Sequence, residues 1–259
     1  MDIALIPPVG RISSIMNARF QMMLPSALKY ETYRSCYQYL GQWDGSYVIM
    51  DNGMFEEDKP RSHEQVIALA SEYKVNEIVI PDVRGDFRAS LDLMRQFLDI
   101  GGIDLKYFNY MAVLQGADLP ELLTCFKAYM NELEPMVTHG KVVFGLPRRL
   151  GEDIIPSARV RMVDMILNEY PDVKFHFLGL NRMWLQDFAV AHKYHRGSIR
   201  SIDTSAPFVW AYHNRELESF KVALHFEVPD YFQVPGPEFN LTIVNRNIDT
   251  LKAWANGGQ

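Results

Sequence analysis

The sequence predicts an α/β fold: a compact, closed (β/α)8 barrel of the TIM type, in one domain spanning residues 1–259. Three observations carry this. Short apolar runs recur along the chain, and each closes on a small or polar residue. The runs are continuous rather than alternating, as in strands buried on both faces of a parallel sheet. The intervals between run ends each hold one helix and two loops, as βαβ units require.

The runs come in order. Ala4-Leu5-Ile6 is first. Tyr47-Val48-Ile49-Met50 ends at Asp51, and Ile78-Val79-Ile80 at Pro81-Asp82. Met111-Ala112-Val113-Leu114 ends at Gln115, Val142-Val143-Phe144 at Gly145, and Phe175-His176-Phe177-Leu178 at Gly179. Ile199-Arg200-Ser201-Ile202 ends at Asp203. From Asp51 the intervals between ends are 31, 33, 30, 34 and 24 residues. Val222-Ala223-Leu224-His225-Phe226 is the expected eighth strand. Between the runs, helices are expected over His63–Tyr73 after an N-cap at Ser62, and over Phe87–Leu98 after Asp86. Glu121–Leu133 opens at Asp118-Leu119-Pro120. Ser157–Tyr170, Met183–Tyr194 and Ile248–Ala255 follow. Periodicity does not establish closure, so an open doubly wound sheet stays as the alternative. That alternative lacks its usual GxGxxG and GxxxxGK[ST] signals.

Composition is that of an ordinary globular chain, 48% apolar and 22% charged. A chain of this length buries roughly three quarters of its unfolded surface, so neither metal nor disulfide is needed for stability. Cys36 and Cys125 form no CxxC pair, which argues against a disulfide framework or Cys-rich zinc site and for a reduced, cytoplasmic setting. The first residues lack the features of a signal peptide. No run approaches the ~18 apolar residues of a membrane span. A net charge of −6 argues against nucleic acid as a partner. Basic residues nevertheless concentrate between Arg148 and Arg200, where they read equally as solvated helix faces. The histidines, including His192 and His195 three apart, have no acidic partner at a metal-ligand spacing. No metal is expected, and His176 reads as a satisfied barrel residue.

In a parallel barrel the carboxyl ends of the strands form the active-site rim. Asp51, Asp82, Gln115, Gly145 and Asp203 should converge there, with Phe55 one short loop beyond Asp51. A ring to stack on, carboxylates and an amide to read an edge, and a glycine allowing close approach suit a flat heterocycle. Two carboxylates also suit double displacement at an anomeric carbon, one attacking while the other manages the leaving group's proton. Read singly, an aspartate after a strand is more often the N-cap of the next helix, and Pro81-Asp82 also fits a turn.

These segments resemble a family. Asp51-Asn52-Gly53-Met54-Phe55-Glu56 is similar to the Asp-Ser-Gly-Gly-Phe-Gln motif of tRNA-guanine transglycosylases. Ile80-Pro81-Asp82 matches the position of that family's base-recognising aspartate. Val113-Leu114-Gln115-Gly116 resembles its Val-Gln-Gly segment, Phe144-Gly145-Leu146 its Gly-Gly-Leu, and Phe177-Leu178-Gly179-Leu180 its Leu-Met-Gly-Val. Ser201-Ile202-Asp203-Thr204-Ser205-Ala206-Pro207 falls where the family has its nucleophilic aspartate. The order holds over roughly Tyr47 to Pro207. The resemblance implies a pentosyltransferase without cofactor. Asp203 would attack C1′ of a nucleotide as guanine leaves, and Asp51 would serve as general acid and base. Asp82 and Gln115 would bind the base edge, with backbone contacts from Gly145 and Leu146. Phe55 would stack on one face of the base and Leu178, followed by Gly179, on the other.

The departures redirect the substrate. The bacterial and eukaryotic tRNA enzymes carry a zinc site of three cysteines and a histidine, and no cysteine follows Cys125 here. The expected barrel therefore lacks a zinc subdomain. The large C-terminal domains of the archaeal enzymes are missing too. The glutamate of the family's Gly-Gly-Leu-Ala-Val-Gly-Glu falls two residues late, at Glu152, and is not carried over. A compact zinc-free chain resembles the DNA-modifying branch of bacteriophages and bacterial modification islands, acting in the host cytoplasm if phage-encoded. That branch exchanges guanine in DNA for a 7-deazaguanine and so evades restriction. The implied partners are DNA, with tRNA as the alternative, and a free base such as 7-cyano-7-deazaguanine; a non-catalytic barrel that binds nucleic acid or nucleobase is the other alternative reading. A base in a duplex must leave the stack to be exchanged. Arg148, Arg149, Arg182, Lys193 and Arg196 are the candidate phosphate contacts. Phe208, Trp210 and Tyr212 read as packing more than base stacking.

Overall fold

A computed structural model describes residues 1–259 apart from 17, 54–60, 101–106, 151–153, 156, 181–188, 190, 194, 196, 218–227 and 258–259. Eight strands form the barrel: β1 (Asp2–Leu5), β2 (Phe20–Met23), β3 (Tyr47–Met50), β4 (Glu77–Val79), β5 (Asn109–Val113), β6 (Val142–Pro147), β7 (Phe175–Leu178) and β8 (Ile199–Thr204). All pair in parallel in chain order, and β8 pairs with β1, so the sheet is closed. The open-sheet alternative is excluded.

The eighth strand is β2, not Val222–Phe226, which lies outside the described residues. Its run Phe20-Gln21-Met22-Met23 is interrupted by a polar side chain. Gln21 is fully buried because its amide Nε2 donates to the carbonyls of Ile15 and Ala18, at 2.7 and 2.5 Å, in the turn before the strand. Its Oε1 is buried without a partner among the described residues, so the site carries a desolvation cost, and its polarity hides the strand.

The described helices are α1 (Glu31–Leu40), α2 (His63–Glu72), α3 (Phe87–Leu98), α4 (Leu119–Thr138), α5 (Ala158–Leu167), α6 (Ala206–Tyr212) and α7 (Leu241–Ala255). Ser62 and Gln65 form a capping box on α2, and Asp86 and Asp118 cap α3 and α4 through side-chain oxygens. Helix α4 outlasts the expected Leu133, and α7 begins well before Ile248, where Asn240 caps it. Most of Met183–Tyr194 lies outside the described residues. Phe208, Trp210 and Tyr212 sit on α6, with Phe208 buried, so their alternation in sequence is helical packing. The core lies between barrel and helices; Phe126 of α4, for example, meets Phe144 of β6 edge-on at 4.9 Å between centroids. No helix among the described residues is long and apolar enough to cross a membrane.

The amino-terminal mouth of the barrel is closed by a polar plug. Glu77, at the start of β4, is fully buried and forms a two-pronged ion pair with Arg200 of β8, Nη2 to Oε1 at 2.9 Å and Nη1 to Oε2. Tyr47 donates to Glu77 Oε2 at 2.7 Å and accepts from Asn109 Nδ2 at 2.9 Å. The guanidinium lies 5.6 Å from the ring centroids of both Phe20 and Tyr47, which stack on each other. Burial works to discharge Arg200, but the Glu77 pair outweighs it and holds the guanidinium above its ordinary value. Strands β4 and β8 stand opposite each other, so this pair spans the mouth.

Candidate active site at the carboxyl rim

Two polar clusters occupy opposite sides of the carboxyl-terminal mouth. The first centres on Asp82, three residues past β4 and 5% exposed. Its Oδ1 accepts from Asn52 Nδ2 at 2.5 Å and its Oδ2 from Gln115 Nε2. Asn52 also donates to the carbonyl of Ile80 at 3.0 Å. Gln115 Oε1 accepts from Gly85 N–H at 2.9 Å and from Arg149 Nη2 at 3.0 Å, and Arg149 Nη2 reaches the Gly116 carbonyl at 2.8 Å. Burial pushes the Asp82 carboxyl up to about 6, against the pull of Gln115, Asn52 and Arg149. Asp82 is therefore no helix cap. That role falls to Asp86, while Ser90 of α3 ties down the loop by accepting from Val83 N–H at 2.9 Å. Gly85 takes φ +76°, a left-handed turn that aims its N–H at Gln115.

The second cluster centres on Asp203, near the end of β8 and 6% exposed. Oδ1 accepts from His176 Nε2 at 3.0 Å and from Gly179 N–H at 2.9 Å. Among the described residues no hydrogen bond reaches Oδ2. His176 of β7 is fully buried, and its Nδ1 lies 2.8 Å from Ser201 Oγ. Gly179 adopts φ +68°, where other residues are strained, and that turn presents its N–H. Arg159 of α5, 1% exposed, fixes the same turn by donating to the carbonyl of Gly179 at 2.7 Å while lying over the Phe177 ring. Asp203 caps no helix either, since Thr204 Oγ1 accepts the Ala206 N–H at the start of α6.

Asp51 follows β3 and is half-buried. Its N–H donates to the Met23 carbonyl at 2.9 Å, and its Oδ2 accepts from Gly53 N–H at 3.2 Å. Around the rim, β3 and β8 are separated by β1 and β2, so Asp51 is neither a neighbour of Asp203 nor directly across from it. Asp82, in the loop after β4, follows the strand directly across from that of Asp203.

Several expected site residues have other positions. Gly145 and Leu146 lie inside β6, which runs to Pro147, and the Gly145 carbonyl accepts from Leu114 N–H at 2.9 Å within the sheet. The space beside Gly145 is filled by Leu178, Met111 and Val113, any Cβ there meeting Leu178 at 3.0 Å. The glycine thus admits Leu178 to the barrel; its carbonyl is committed to the strand ladder. Arg149 holds Gln115 and Gly116 rather than standing free over the mouth. Arg148 is half-buried beside Gly179 at the rim. Lys193 is exposed, but it lies two residues before His195, close in sequence to the amino end of β8, where the Ser198 carbonyl accepts from Phe175 N–H at 2.8 Å. Strand β8 starts at Ile199, so this is the end of the barrel away from the clusters. Phe55, Glu152, Arg182 and Arg196 lie outside the described residues. No cluster of metal-ligating side chains occurs among the described residues. Cys36 and Cys125 are free and buried, and burial pushes both thiols up to about 11.

Sequence reasoning missed Asn52 and the role of His176. Asn52 replaces the serine of the resembled motif, so it carried no signal of its own. His176 alternates with apolar neighbours inside a strand, which reads as packing.

Fold and site together define a parallel (β/α)8 barrel with a buried, hydrogen-bonded carboxyl-rim site. No protein-family model matches the chain, and no curated protein matches it. A solved structure of CdNal from Clostridium difficile, in complex with mannosamine, superposes with a TM-score of 0.45 at 10% identity, covering 78% of this chain and 69% of that one.

Proposed function

We propose that this protein is an enzyme that exchanges guanine in DNA for a 7-deazaguanine base by double displacement through Asp203. One observation supports it most: a carboxylate with one oxygen held by two donors and the other without a hydrogen bond among the described residues, directly across the mouth from a prearranged polar edge. In the first half-reaction Asp203 Oδ2 bonds to C1′ and the C1′–N9 bond breaks. The departing guanine takes a proton at N9 from Asp51. In the second, the incoming base gives its proton back to Asp51 and its ring nitrogen displaces Asp203. Asp82 and Gln115 suit the donor edge of guanine, since the carboxylate can accept from N–H groups that line up in one plane. Arg148, at the rim beside Gly179, suits a phosphate. The resemblance favours DNA over tRNA, because the zinc site of the tRNA enzymes takes three cysteines and this sequence has two, Cys36 and Cys125.

The test is incubation with labelled guanine or 7-cyano-7-deazaguanine and either duplex DNA or tRNA, followed by peptide mass spectrometry of the trapped intermediate. Label enters DNA, and the adduct maps to the peptide carrying Asp203. Asp203→Asn cuts incorporation by on the order of 10⁴-fold. Label entering only tRNA would sink the choice of polymer. Free guanine released without incorporation would make the protein a hydrolase, and an adduct on Asp51 would reverse the two roles.

A further inference from the structure

A line of hydrogen bonds connects the plug at one mouth of the barrel to Asp203 at the other. Glu77 pairs with Arg200, Arg200 Nε donates to Ser201 Oγ at 3.0 Å, Ser201 Oγ lies 2.8 Å from His176 Nδ1, and His176 Nε2 lies 3.0 Å from Asp203 Oδ1. We propose that Arg200 and Ser201 are positioning residues that hold His176 as the neutral tautomer protonated on Nε2, so that its N–H aims Asp203 for attack. The role assigned to Asp203 rests on the function proposed above.

The local backbone provides the first argument. Strands β7 and β8 pair Phe175 with Ile199 but His176 with Ser201, so Arg200 is the extra residue of a β-bulge. A bulge bends its strand and re-aims side chains. Here adjacent residues Arg200 and Ser201, which a regular strand would send to opposite faces, meet side chain to side chain.

Proton accounting provides the second. The Arg200 guanidinium can only donate, so Ser201 Oγ accepts its Nε–H. The Ser201 hydroxyl is fully buried, and among the described residues its proton finds one acceptor, His176 Nδ1. Nδ1 is then unprotonated, and the ring's proton sits on Nε2, facing the carboxylate. The other tautomer would set a lone pair against Asp203 and leave the Ser201 proton without an acceptor. A doubly protonated ring would leave that same proton stranded and would pair with Asp203 as a cation, drawing charge off the attacking oxygen. The neutral Nε2–H form alone satisfies every group. It acts with Gly179 N–H on Oδ1 and leaves Oδ2 to attack.

The full-length protein labelled with nitrogen-15 histidine tests this by long-range proton–nitrogen spectroscopy at neutral pH, with His176→Gln assigning the signal. The expected spectrum shows His176 protonated on Nε2 and bare on Nδ1, and Ser201→Ala, which removes a single oxygen, alters the Nδ1 resonance. Wild-type His176 protonated on Nδ1 or on both nitrogens overturns the proposal, as does a Ser201→Ala spectrum identical to wild type. Labelled-guanine exchange into duplex DNA adds a kinetic readout. His176→Phe loses about 100-fold in kcat with KM unchanged, while His176→Gln, whose amide can donate from the same place, recovers to within about tenfold of wild type. Equal losses in the two variants overturn the aiming role. If wild-type protein exchanges base into neither DNA nor tRNA, the proposed function fails, and the spectrum still decides the tautomer.

Discussion

Asp82 shows how burial and partners oppose each other at one residue. Three neighbours stabilise its charge, yet desolvation prevails and lifts the carboxyl from the usual 3.8 to about 6. Because the folded value lies above the unfolded one, the folded state holds the proton more tightly. The ionised, buried group then costs stability on the order of 3 kcal/mol at pH 7, a cost that fades as pH falls through 6 and is gone below about 3.8. Between pH 7 and pH 4.5 wild type should therefore gain about 2 kcal/mol relative to Asp82→Asn in urea unfolding. A pH-independent difference between the two proteins would refute it. At this scale the sequence exposed Asp51, Asp82, Gln115 and Asp203, because each follows an apolar run where a polar residue stands out. It could not expose Asn52 or His176, whose importance lies in what they touch: residues 30 and 27 positions away in the chain.

At the scale of elements, caps and loops decide which groups reach the rim. Asp86 accepts from Arg88 and Ala89 N–H, both at 3.0 Å, at the head of α3. The loop it anchors carries Gly85, whose N–H holds Gln115. Asp86→Ala should cost about 1 kcal/mol in urea unfolding, with m unchanged because the surface exposed on unfolding is the same. Helices α2, α3 and α4 were legible because each opens on Ser or Asp ahead of a regular apolar face. Helix α1 was not: its buried face is made of Tyr33, Cys36, Tyr37 and Leu40, and aromatic residues carry little helical signal. Strand β2 was hidden for a related reason, a buried glutamine whose Nε2 donates to turn carbonyls that no periodicity reveals.

The whole molecule depends on an interaction between opposite walls. Glu77 and Arg200 are 123 residues apart and meet only because the barrel closes. Arg200→Met leaves Glu77 buried without a countercharge and should cost about 3–5 kcal/mol. Adding Glu77→Leu should recover most of that loss, because replacing a buried ion pair by apolar groups of similar volume is often neutral. Thermal or urea unfolding of the three variants checks both statements, and additive losses in the double variant would contradict them. The double variant would recover stability without restoring the donor to Ser201, which separates the plug's contribution to folding from its hold on His176.

The seam between β1 and β8 has a consequence for how the chain is made. β1 is the first strand synthesised, and one of its two neighbours is the last. Strands β2 to β7 can each pair with the preceding strand as they emerge from a ribosome, but the outer edge of β1 has no native partner until Thr204 has appeared. Helix α7, which packs against β1, is later still. An unpaired strand edge is a template for wrong partners. From the appearance of β1 until β8 has been made, then, the barrel carries one open strand edge exposed to wrong partners.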